Sequence, residues 1–166
     1  MNMSSRHTTM DTPPASPSFA APVAPPVTPP RLWNPGAAVG WSLLLTPVFG
    51  AVLQMKNWQA MGETTKAFDA KLWAVGMAVA ILGVTLALVV LPQSRLLDAL
   101  GHAVGLPLFV AWYYATAKAQ VTRVAARYGR QYPRRGWVGP LLAGLGAVLG
   151  TILAFLVLDA ALVPLR

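Results

Sequence analysis

Residues 73–91 read WAVGMAVAILGVTLALVVL, nineteen positions with neither a charge nor a proline. As a helix rising 1.5 Å per residue this run is about 28 Å long, close to the roughly 30 Å hydrocarbon thickness of a bilayer. It has company. Residues 36–55 are uncharged, and residues 96–117 and 137–161 are strongly apolar. Only 11% of the chain is charged, 55% is hydrophobic and the mean hydropathy is +0.54, whereas soluble domains carry about 25% charged residues. The class that accommodates this is an all-α integral membrane protein, read as a four-helix transmembrane bundle with spans at 36–55, 73–91, 96–117 and 137–161.

Residues 1–31 form a separate unit. Eight prolines fall in the first thirty positions among Ser, Thr and Ala, with almost nothing large and apolar. Such a segment cannot bury enough surface to offset its chain entropy, so a disordered, proline-rich tail is expected. It has no apolar core of the kind a secretory signal carries. The membrane domain is then 32–166.

Sidedness follows from charge. Residues 118–135 hold six of the thirteen Lys and Arg and no Asp or Glu. With Lys56, Lys66 and Lys71 of the first connector, nine cations lie on one side of a four-span threading and four (Arg6, Arg31, Arg95, Arg166) on the other. Positive charge stays inside, so the loop 118–135 is expected in the cytoplasm and both termini outside. Pro47 qualifies this. Mid-segment it removes a backbone hydrogen bond, making a broken or re-entrant 36–55 segment the alternative, in which case the tail moves to the cytoplasm.

The basic stretch also reads as an amphipathic helix, 118–132. At 100° per residue Arg123, Arg127 and Arg130 gather on one sector and Val121, Val124, Ala125, Tyr128 and Tyr132 on the opposite one, with Pro133 ending it before Arg134 and Arg135. Tyrosines at headgroup depth and arginines toward anionic lipid suit an interfacial helix, so these five arginines are the candidate contacts to lipid headgroups or a protein partner. No nucleic-acid-binding motif accompanies the charge, so nucleic acid is not an expected partner.

Chemistry is sparse. Without cysteine there is no thiol catalysis, disulfide or thiolate metal site, and His7 and His102 are the only imidazoles. No nucleophile with its base, metal cluster or phosphate loop is present, so neither enzymatic activity nor a cofactor is expected. Asp98 and His102, four apart, share a helix face and can pair. They are either an interfacial ion pair and helix-start acid or, as the sharper alternative, the proton or ion site of a small transporter or channel. Gly139, Ala143, Gly146 and Gly150 offer small residues at four-residue spacing for close helix packing, within the chain or in a homo-oligomer.

One stretch has a recognisable look. Leu32-Trp33-Asn34-Pro35, Trp41-Ser42-Leu43-Leu44, Thr46-Pro47, Phe49-Gly50, and Asn57-Trp58 with Gly62 resemble an LWNP…WSLL…TPxFG…NW…LG pattern. That pattern opens the membrane domain in a group of small, uncharacterised bacterial inner-membrane proteins. Met61 stands where the pattern has its last Leu. The resemblance covers residues 32–62 and implies a bacterial cytoplasmic membrane and no particular activity. The function expected is a non-catalytic structural or docking module for a partner or lipid.

Overall fold

The computed structural model describes residues 28–92 and 94–162. The tail before residue 28 and Arg166 lie outside the described residues. The regular elements are helices: α1 (Pro35–Leu44), α2 (Pro47–Ala60), α3 (Thr64–Val90), α4 (Arg95–Ala103), α5 (Gly105–Trp112), a π-helical turn (Tyr113–Ala117), α6 (Lys118–Tyr128) and α7 (Val138–Leu162). One isolated parallel bridge joins Leu32 to Arg134.

The expected first span is not one helix. Pro47 has no N–H to give, so the chain breaks before it and restarts, with Thr46 extended and its hydroxyl accepting from Phe49 N at 3.2 Å. Pro35 begins α1 the same way behind Asn34, whose Oδ1 takes Gly36 N and Ala37 N at 3.0 and 3.3 Å. The two short helices then fold back on each other. Trp33, just before α1, bonds to Asn57 near the end of α2, while Gly50 packs against Ser42 at the turn. A Cβ at Gly50 would collide with the Ser42 hydroxyl and the Trp112 ring, so this approach needs glycine. The result is a helical hairpin whose two ends lie together.

Gly62, at φ +75°, turns the chain tightly into α3. Ala67, Ala70 and Ala74 recur on the face of α3 turned to α2, letting Trp58 and Ala51 pack against it. The hairpin's turn reaches the level of Ala78 to Leu82 of α3. That is five to nine residues past Trp73, about 8–14 Å into the apolar run and near the middle of a 30 Å layer.

Among the described residues two helices are each long and apolar enough to cross a membrane: α3 and Val138–Ala161 of α7. A third span results if α4 and the helix from Gly105 to Tyr128 are taken together across their 44° bend. The π turn inside that helix matters for packing. Trp112 and Ala117 are both buried five residues apart, a step wider than an α-helix allows, and Gln120 and Val124 follow on the same buried line. α7 packs only lightly on the rest, with none of its most apolar stretch buried. Its outward leucines fit lipid contact rather than a protein core.

Gly40–Leu53 and Gly136–Leu149 share Gly-Trp and Gly-Ala-Val-Leu at matching positions. They fold differently, one broken at Thr46 and the other mostly within α7.

Candidate functional site

The basic helix stops at Tyr128, four residues short of the expected end, because Gly129 takes φ +59°. Its apolar face also has another use than the one expected. Val124 and Tyr132 are buried with Leu32 in one cluster and Tyr128 packs at its edge, so this part of the face meets protein, while Ala125 stays exposed. The segment after it is fastened to the start of the hairpin: Leu32 N donates to Pro133 O at 3.1 Å, and Arg135 N donates to Leu32 O at 2.9 Å. Trp33 Nε1 adds a bond to Gly136 O at 2.9 Å. Burial raises the Tyr132 phenol above its ordinary pKa, against the opposing charge of Arg134.

This mounting displays the arginines. Arg123, Arg127, Arg130 and Arg134 are exposed, and Arg135 is half-buried with its guanidinium 4.6 Å from the Trp33 ring centre. Arg127 lies over Tyr128 and Arg134 over Tyr132. Arg130 and Arg134 flank a cleft of about 200 Å³ beside Asn34 and Val121. Arg123 instead pairs with Glu63, which also takes Lys66 Nζ at 3.3 Å. Desolvation raises the Glu63 carboxyl, but the Lys66 hydrogen bond and the charges of Arg123 and Lys66 outweigh it and hold its pKa below the ordinary value.

Beneath the arginines runs a file of buried amides. Asn57 bonds both N and O of Trp33, and its Nδ2 reaches Gln120 Oε1 at 3.5 Å. Gln120 Nε2 donates to Gln54 O at 2.9 Å, and Gln54 Oε1 accepts from Trp112 Nε1 at 2.7 Å and Thr116 Oγ1 at 3.2 Å. Asn57, Gln54 and Gln120 are 1–3% exposed. Gln54 Nε2 has no hydrogen-bond partner among the described residues. In an apolar surround each such bond is strengthened, so the file ties α2 rigidly to the π turn and α6. The sequence reading passed over Gln54 and Gln120. Gln54 signals itself as a primary amide inside an otherwise apolar run, whereas Gln120 lies in the basic stretch, where a polar residue draws no notice.

Asp98 and His102 share a face of α4, as their spacing requires, but do not form the expected ion pair. His102 Nδ1 lies 2.7 Å from the Asp98 backbone oxygen, and both side chains are exposed. Ser94 caps α4 through Leu97 N at 3.2 Å, with Asp98 in its first turn, where a carboxylate opposes the helix dipole favourably. Gly101 packs on Leu88, beyond the level reached by the hairpin's turn. The pair and the hairpin therefore do not converge on one path. Among the described residues, no three His, Asp or Glu group closely enough to hold a metal.

The small-residue face of α7 divides. Gly139 and Ala143 line an open groove of about 430 Å³ between α7 and α2, whereas a Cβ at Gly146 or Gly150 would meet nothing within 4 Å. The close contact is made by Gly144, where a Cβ would sit 2.8 Å from Leu45 Cδ1 and 2.9 Å from Phe49 Cδ2. Thus α7 touches the hairpin at its turn and stands off nearer the basic end. No family model, curated protein or solved structure matches the chain.

Proposed function

We propose that this chain is a non-catalytic, multi-pass protein of the bacterial cytoplasmic membrane whose basic face docks anionic lipid headgroups. Four apolar segments enter the bilayer and three cross it: α3, the bent α4-to-α6 unit and α7. The α1–α2 hairpin is re-entrant from the basic side. Nine Lys and Arg in the connectors, together with Arg31 beside the hairpin, then face the cytoplasm.

The observation that carries the docking role is the bridge of Leu32 to Pro133 and Arg135, which fixes the arginine-bearing segment to the membrane-embedded hairpin. Arginines held at headgroup depth attract anionic lipid at about 1 kcal/mol each, and a rigid mount reduces the ordering cost of engaging several at once. The resemblance of residues 32–62 to small bacterial inner-membrane proteins supports the location. The transporter alternative has less support, since Asp98 and His102 lie apart from the hairpin's turn.

The test is reconstitution of the full chain in nanodiscs of mixed phosphatidylglycerol and phosphatidylcholine, with a photoactivatable version of each lipid. Phosphatidylglycerol crosslinks to the segment 118–135 in excess of its mole fraction. Replacing Arg127, Arg130 and Arg134 together by Gln removes the excess. Equal labelling by both lipids in the unmodified protein would refute the docking role.

A further inference from the structure

We infer that the groove between α2 and α7 is a binding site for one acyl chain of an anionic phospholipid, with Lys56 on its headgroup phosphate. The groove runs from Lys56 to Thr46 along α2 and from Gly139 to Ala147 along α7. Ten residues of helix span about 15 Å, half of a 30 Å hydrocarbon layer. It therefore extends from the headgroup level to the membrane midplane, the depth of one lipid leaflet.

The lining fits hydrocarbon. Val48 and Val52 of α2 face Gly139, Ala143 and Ala147 of α7, and the hydroxyl of Thr46 at the deep end is engaged by Phe49 N. A polar solute would find no partner there, and burying an unpaired polar group is costly.

Charge at the mouth selects among lipids. Among the described residues the lining holds one charged side chain, Lys56, at the shallow end, and Arg135 stacks on Trp33, which is part of the same wall. A cation at headgroup depth above an apolar slot is complementary to a headgroup of net negative charge, a phosphodiester with no ammonium to offset it, with its chain below. The site rests on the membrane placement proposed above, but not on the exposed arginines of the loop.

Native mass spectrometry of the detergent-solubilised full chain, incubated with equimolar phosphatidylglycerol and phosphatidylcholine of identical chains, tests this. One lipid stays bound per chain, with phosphatidylglycerol favoured about fivefold, the ratio one cation near the surface supplies. Ala143→Leu fills the slot and abolishes retention. Lys56→Gln, an exposed position whose change leaves packing intact, keeps the lipid but brings the ratio toward one. These comparisons are repeated in a background with Gln at Arg127, Arg130 and Arg134, where lipid held at the docking face no longer contributes. The Lys56-dependent preference of the retained lipid persists there, which separates the two sites. Equal retention of the two lipids by the unmodified protein, or an undiminished preference in Lys56→Gln, would overturn it.

Discussion

Asn57 grips Trp33 by both ends of its amide, Oδ1 accepting from Trp33 N at 3.0 Å and Nδ2 donating to Trp33 O at 2.9 Å. The residues are 24 apart, and this pairing closes the hairpin as a strand partner would. It also occupies backbone groups that precede α1 and have no helical partner. Asn57→Ala leaves them unpaired in a partly buried site, at a cost of about 1–3 kcal/mol. In detergent the melting temperature falls by about 2–12 °C, at roughly 2–4 °C per kcal/mol for a chain of this size. Asn57→Asp, which keeps the acceptor and loses the donor, destabilises as well. A variant melting with the parent would show that the hairpin closes without this pair.

The re-entrant hairpin has a sharp topological consequence. The chain has no cysteine, so a single engineered one reports its own side. Arg31→Cys and Arg130→Cys, both exposed, are labelled by an impermeant maleimide from the same side of sealed vesicles, and Arg95→Cys from the opposite side. A four-span threading instead puts positions 31 and 130 on opposite sides, so that labelling pattern would exclude the hairpin.

Glycines separate by what surrounds them. Gly50→Ala forces the hairpin apart at Ser42 and Trp112 and costs about 1–3 kcal/mol by overpacking. Gly146→Ala enters open space in mid-helix and raises the melting temperature slightly, since alanine favours helix by up to about 1 kcal/mol. Similar effects at both positions in a thermal melt would argue that α1 and α2 do not pack this closely.

What the sequence disclosed was whatever depends on solvation or on local backbone chemistry. The charge-free run at 73–91 announced α3, and Pro47 announced a break inside 36–55. Pro47 breaks the first segment, but hydropathy alone does not choose between kink and hairpin. That choice is made by Gly50 on Ser42 and Asn57 on Trp33, contacts between residues distant in the chain. The same limit hid the amide file: Gln54 and Gln120 lie 66 residues apart, and no periodicity links them. On α7, spacing pointed to Gly139, Ala143, Gly146 and Gly150 as one packing face. The close contact belongs to Gly144, whose neighbours Leu45 and Phe49 sit at the hairpin's turn.

Glu63 gives the fold a dependence on pH. Its carboxylate joins Lys66 on α3 and Arg123 on α6, tying the α2–α3 turn to the basic helix. Because these partners hold its pKa below the ordinary value, the unfolded chain takes up a proton at a higher pH than the folded one does. Its contribution is thus complete above the ordinary carboxylate pKa and is lost as pH falls through the lowered folded value. Glu63→Gln is therefore modestly less stable than the parent at pH 7, and the gap between their melting temperatures closes on acidification. Other carboxyls titrate in both proteins and cancel in that difference. The partners are partly solvated, so 1 M salt also narrows the gap at neutral pH. A gap that persists under acid conditions would mean that Glu63 acts through packing rather than charge.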